Sequence, residues 1–124
     1  MAVQRIVANI QTEDPAQLSA FYRDLLGIEP VMEFGWIATL QEPSGDGQSI
    51  QLSVASEGGS GTPVPALSIE VDDLDAIYAR AADFGAKIEY GPVDEPWGVR
   101  RFYVRDPAGT LLNILTHTGE KITK

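Results

Sequence analysis

The sequence predicts an α+β fold of two βαβββ modules in tandem. Each module is expected to be a curved, mixed four-stranded sheet with one helix, and a cavity is expected between the sheets. Three observations lead there. The order strand, helix, three strands can be read twice along the chain. Aspartate-led helix starts at Asp14 and Asp73, and glycine helix ends at Gly27 and Gly85, recur at nearly the same offset. A stretch rich in Gly, Ser and Pro, residues 56–65, separates the two runs.

From Val3 to Thr12 the chain alternates, with Ile6, Ala8 and Ile10 on one side and Val7, Asn9 and Gln11 on the other, the period of a strand. Asp14-Pro15 then opens a helix, because an Asp side chain accepts from the free N–H groups of the first turn and proline's fixed φ suits the first helical position. Gln17, three residues on, suits the return half of a capping box. Leu18, Phe21, Tyr22, Leu25 and Leu26 form an apolar stripe at helical spacing, and Gly27 closes it in the left-handed conformation. Short strands are expected near 29–34 and 37–41, then a turn at Pro43-Ser44-Gly45-Asp46-Gly47 and a strand over 49–55.

After the linker the pattern starts again. Residues 66–71 alternate, and Asp72-Asp73 cap a helix starting near Leu74, with Ile77, Ala81 and Phe84 as its buried face and Gly85 as its end. Strands near 88–93, 99–105 and 110–116 close the second half. The expected organisation is a single domain: module 1 about residues 1–55, linker 56–65, module 2 about 66–118 and a polar tail 119–124.

Length and composition narrow the function. A chain of 124 residues suits one domain of about 100–150 residues. No apolar run approaches the ~18 residues of a membrane span, and the N-terminus enters the strand pattern directly, so no signal peptide is expected. The absence of cysteine excludes disulfides, thiolate metal sites and cysteine nucleophiles, and agrees with a cytoplasmic location. A net charge of −9 argues against partners bound through nucleic-acid phosphates or anionic membranes, and biases the chain towards neutral or cationic ligands.

Three phrases carry a resemblance. Residues 14–27 (DPAQLSAFYRDLLG), 69–75 (IEVDDLD) and 97–109 (WGVRRFYVRDPAG) resemble the first-helix signature, the second strand-to-helix entry and the closing hairpin of the vicinal oxygen chelate superfamily, the glyoxalase, bleomycin-resistance and dioxygenase group. The Asp106-Pro107-Ala108-Gly109 segment also has a local explanation as a hairpin turn.

The resemblance implies a homodimer and, in the family's enzymes, a divalent metal held on cavity-facing strand positions. Those positions map onto Val7, Gln51, Ala66 and Asn113. Val and Ala carry no donor atoms, and neutral amide oxygens are weak ligands for transition metals. The single histidine, His117, lies past the last ligand position; a neighbouring set of Glu70 with Asn9 or Ser68 is the remaining, oxygen-only, option. No metal and no cofactor are therefore expected. The family's isomerisation and ring-cleavage chemistry uses the metal as Lewis acid or oxygen activator. The resemblance thus implies a metal-independent protein that binds a small organic molecule, aromatic or antibiotic-like, with a glyoxalase-like lyase or isomerase, metal-dependent or metal-free, as the alternative.

Alternation places Asn9, Gln51, Ser68 and Asn113 on cavity-facing positions suited to hydrogen-bonding a ligand. Trp36, at a hairpin tip with Phe34 and Gly35, and Tyr90 and Trp97, flanking Gly91-Pro92 and Pro96, are candidates to stack on a planar ring. Glu70 is the candidate catalytic base, its pKa expected to be raised by a desolvated cavity. Of Arg100 and Arg101 only one can face inward; surface salt bridges are the ordinary expectation for both and for Arg105.

Overall fold

The computed structural model describes residues 2–42 and 51–118. The predicted turn at 43–47, the first two residues of the strand predicted over 49–55 and the tail 119–124 lie outside the described residues. The elements are β1 (Val3–Gln11), α1 (Pro15–Leu26), β2 (Glu29–Phe34), β3 (Ile37–Gln41), β4 (Gln51–Ala55), β5 (Leu67–Val71), α2 (Leu74–Asp83), β6 (Lys87–Glu95), β7 (Val99–Arg105) and β8 (Leu111–His117). This is the α+β fold and the twofold order of elements that the sequence predicts.

Two compact units are present: Val7–Val64, and the residues up to Ile6 together with those from Pro65 onward. In the first, the strands lie in the order β2-β3-β4-β1, with β1 parallel to β4 and the other neighbours antiparallel. In the second, β6-β7-β8-β5 has the same arrangement, with β5 parallel to β8. The repeat is thus a repeat of topology and not only of pattern. The first residues of the chain group with the second unit instead of with module 1, because Ala2 exchanges backbone and side-chain hydrogen bonds with Asp72 (Ala2 N to Asp72 Oδ1 2.7 Å, Asp72 N to Ala2 O 3.1 Å).

Both helices start as their caps dictate. Asp14 Oδ1 accepts from Gln17 N and Asp73 Oδ1 from Ala76 N, each at 3.1 Å. The capping box is only half made, since Asp14 N–H donates to Thr12 Oγ1 and not to the Gln17 side chain. Gly27, at φ 77°, ends α1 and donates to Arg23 O. Asp14→Ala and Asp73→Ala are each expected to cost about 1 kcal/mol, and their double variant about the sum. Urea unfolding checks this; a double variant no weaker than either single one would show that the caps do not act independently.

Each helix covers one face of its sheet. Leu18 and Tyr22 of α1, with Ile10 and Ile28, pack on Ala38, Leu40 and Val54. Leu74, Ile77 and Tyr78 of α2 pack on Val71, Phe102 and Ile114. The predicted stripes are narrower than expected. α1 turns its Leu18–Ser19–Tyr22 side inward, so Phe21, Leu25 and Leu26 stay exposed. Phe84 is 72% exposed because the helix stops at Asp83, and the helical period no longer fixes its direction.

β6 runs to Glu95, past its predicted end, because Gly91-Pro92 forms an irregularity inside the strand and does not break it. The 56–65 stretch, read from composition as a linker, folds on itself: Gly58 N bonds to Thr62 O (2.7 Å), Thr62 N and Oγ1 to Gly59 O, and Gly61 N to Glu57 Oε1. Among the described residues, no helix is long and apolar enough to cross a membrane.

Candidate functional site

Because each helix occupies one sheet face, strand alternation sends the polar side chains to the other. In the Val7–Val64 unit, Asn9 is in register with Ser53, and Ser53 with Thr39. The buried Thr39 and Ser53 hydroxyls meet at 2.8 Å, and Gln51 Nε2 donates to Gln41 Oε1 at 2.6 Å. Asn9 and Gln51 thus share a polar face with partners that sequence reading did not single out. Trp36 sits at the β2–β3 tip, tilted against Phe34 with ring centroids 6.1 Å apart.

The second unit holds the denser cluster. Ser68, Asn113, Tyr103 and Tyr90 follow one another across β5, β8, β7 and β6. Asn113 Nδ2 donates to Ser68 Oγ at 3.1 Å. Asn113 is 8% exposed, and its Oδ1 is a buried acceptor that no hydrogen bond satisfies among the described residues. Such an orphan is uncommon in a folded interior.

One step along, Arg101 is in register with Leu115, itself in register with Glu70. Arg101 Nε donates to Glu95 Oε2 at 2.8 Å, Tyr90 Oη donates to the same oxygen at 2.7 Å, and an Arg101 terminal nitrogen donates to Tyr103 Oη at 3.0 Å. The guanidinium carbon lies 4.9, 5.0 and 5.4 Å from the ring centroids of Tyr103, Trp97 and Tyr90. Only 3% of each charged side chain is exposed. The sequence explains this locally. Alternation along β7 gives Phe102 to the helix side and Arg101 and Tyr103 to the other, and the turn Glu95-Pro96-Trp97-Gly98 folds Glu95 and Trp97 back beside them.

The expectation of surface salt bridges therefore holds for Arg100, which meets Asp75 and Asp94, and for Arg105, which meets Glu89. It fails for Arg101. The signal was present: Arg101 precedes a Phe on the helix side. Its acidic partner, Glu95, lies across the turn and was not singled out. Tyr90 and Trp97, proposed ring-stackers, sit together here, and their faces pack on Arg101.

The third cluster centres on Glu70. Oε1 accepts from Arg5 Nε (2.9 Å) and from an Arg5 terminal nitrogen, while Oε2 meets His117 Nδ1 at 2.7 Å. Burial pushes the Glu70 carboxyl up, but the hydrogen bonds from His117 and Arg5 outweigh it and hold the group below the usual glutamate range. The expected raised pKa is thus reversed, because sequence reading supplied the burial and not the two partners. Glu70 contributes stability above the unfolded-state value of about 4.3, and that contribution is lost as pH falls through the lower folded value. Glu70→Gln is expected to flatten the acid limb of the stability profile below about pH 5. Urea midpoints across that range check it; parallel acid limbs in the two proteins would refute it.

The tandem strand order and the polar sheet faces define a two-module βαβββ protein. The chain belongs to the glyoxalase/bleomycin resistance protein/dioxygenase superfamily, whose family model matches residues 3–114. Among solved structures it is similar to a variant of Streptomyces coelicolor methylmalonyl-CoA epimerase in complex with 2-nitronate-propionyl-CoA (23% identity, TM-score 0.73, covering 95% of this chain and 100% of that one). It is similar also to methylmalonyl-CoA epimerase from Mycobacterium tuberculosis (21% identity, TM-score 0.64, 90% and 85% covered). A third is described as an NAD-dependent benzaldehyde dehydrogenase from Legionella pneumophila (21% identity, TM-score 0.72, 91% and 99% covered). At these identities the likeness shows the fold. A search of curated proteins finds no match.

The residues do not fit the family's divalent metal. Val7 and Ala66 are hydrocarbon, and Ala66 stands exposed, one residue before β5 begins. Gln51 is bonded to Gln41 and Asn113 to Ser68. Among the described residues, no three His, Cys, Asp or Glu side chains cluster. Of the oxygen-only set, Glu70 has both carboxylate oxygens engaged, by Arg5 and His117.

Proposed function

We propose that this is a metal-independent small-molecule-binding protein of the glyoxalase/bleomycin-resistance type that sequesters an aromatic or antibiotic-like ligand in the cytoplasm as a homodimer. The observation that carries the reading is the donor set. Two of the four positions that the family uses for metal are hydrocarbon, and a third, Asn113, leaves a buried acceptor open beside Tyr103. A face built of amides, hydroxyls and aromatic rings suits hydrogen bonding and stacking to an organic molecule. The exposed Phe21, Leu25 and Val31 support self-association.

Tryptophan fluorescence titration against planar aromatic ligands tests this. A saturable change is expected, retained after chelator treatment, together with substoichiometric zinc, iron, nickel and manganese in protein purified without chelator. Binding that disappears with the chelator and returns with one metal would overturn it.

A second reading is a metal-free lyase or isomerase, favoured by one observation: Glu70 holds His117 by Nδ1, and no hydrogen bond engages Nε2 among the described residues. In that reading Glu70, kept ionised by Arg5, orients the ring, and His117 Nε2 moves the proton. A His117→Gln variant that turns over substrate as fast as the parent would dispose of it.

A further inference from the structure

We propose that the polar face of the second unit, opposite α2, selects uncharged, planar molecules that donate a hydrogen bond, and turns away carboxylates and phosphates. The inference rests on the binding reading above and adds the chemical class of the ligand.

The two ionic clusters on this face are internally neutralised. Arg101, which alone would suit a carboxylate, already holds Glu95 at 2.8 Å in a setting where each side chain is 3% exposed. Arg5, the second cation, is spent on Glu70. An incoming anion must either displace a buried carboxylate from its guanidinium or be buried beside it without a countercharge, and both carry a desolvation penalty that the ion's new contacts do not repay. The net charge of −9 opposes its approach at longer range. An incoming cation fares no better at close quarters, since both carboxylates are engaged.

The group left unsatisfied on this face, among the described residues, is neutral. Asn113 Oδ1, buried and without a hydrogen bond among the described residues, asks for an N–H or O–H and repels the lone pairs of a carboxylate. Across the buried Tyr103 in the same register stands Tyr90, half-buried, a ring against which a planar group can lie. Amide, lactam, phenol and indole groups combine a ring plane with one donor. Such a preference would separate this chain from the Streptomyces coelicolor epimerase structure that it is similar to, whose named ligand, 2-nitronate-propionyl-CoA, carries the phosphates of CoA.

Isosteric sets test it: aromatic carboxamides of one to three rings, each with its matching carboxylate and amidinium, titrated by calorimetry at neutral pH. The carboxamide of at least one set is expected to bind at least about tenfold more tightly than both charged partners. A carboxylate that binds as well as its carboxamide overturns the inference and leaves the binding reading standing, and an amidinium that binds most tightly does the same. Absence of binding by every member overturns the binding reading itself, and the inference with it.

Glu95→Gln assigns the cause. It leaves the Arg101 charge uncompensated and is expected to raise carboxylate affinity relative to carboxamide by about tenfold or more. Should that variant fail to fold, Glu70→Gln makes the same comparison at the more exposed Arg5. A carboxamide-to-carboxylate ratio unchanged from the parent, in whichever variant folds, overturns the charge argument.

Discussion

Glu95→Gln is expected to destabilise the protein by about 3–5 kcal/mol, a large fraction of the 5–15 kcal/mol that holds a typical domain folded. The substitution keeps size and shape. Gln can still accept the Tyr90 hydroxyl through its amide oxygen. What it removes is the negative charge beside a guanidinium that solvent scarcely reaches. The three rings around Arg101 soften the loss, since each cation–π contact is worth about 0.5–2 kcal/mol, but the rings surround the cation in the parent as well and so do not replace the missing charge. Removing both charges together, as Arg101→Met with Glu95→Leu, is expected to cost less than the single change. No lone ion is then buried, although the Tyr90 and Tyr103 hydroxyls lose partners. Urea unfolding of the two variants beside the parent decides it. A loss under about 1 kcal/mol for Glu95→Gln would mean that Arg101 reaches water in solution.

That contrast says what the pair does. A buried ion pair is a weak source of stability compared with well-packed hydrocarbon, yet breaking it from one side is costly. Its effect here is to hold Tyr90, Trp97 and Tyr103 around one fixed point. Sequence reading found two of those aromatics and assigned them to a ligand; in the structure their first occupant is Arg101.

The difference between what was legible and what was not follows sequence separation. The caps at Asp14 and Asp73 and the stop at Gly27 are decided within a few residues, and the structure has them where the pattern puts them. Alternation assigned each strand residue to a face, so Ser68, Glu70 and Asn113 lie together as expected. It does not say who the partner is. Glu70 finds Arg5 sixty-five residues away and His117 forty-seven away, and those two contacts reverse the sign of its expected pKa shift. The length of β6 was hidden for a related reason. Gly91-Pro92 reads as a turn on its own, and only pairing with β7 carries the strand through it.

Gly91→Ala is the other change expected to have a large effect, about 3 kcal/mol or more. Gly91 has φ +78°, a region that costs an L-residue about 1–3 kcal/mol. Space compounds the strain. A Cβ there would stand 2.5 Å from the backbone oxygen of Arg101, 3.1 Å from Val93 N and 3.2 Å from Phe102 Cα. None of these is the end of a flexible side chain, so β6 and β7 must separate to admit one methyl group. The damage therefore falls on the strand pair that aims Arg101 at Glu95 and packs Phe102 under α2. Gly27→Ala is the control: its φ is +77°, but nothing lies within 4 Å of the added carbon, so only the conformational cost of about 1 kcal/mol applies. If the two variants melted together, the close approach of β7 to Gly91 would be absent in solution. A Gly91→Ala protein well below Gly27→Ala, with tryptophan emission altered around Trp97, would show that the glycine sets the distance on which the Arg101 cluster depends.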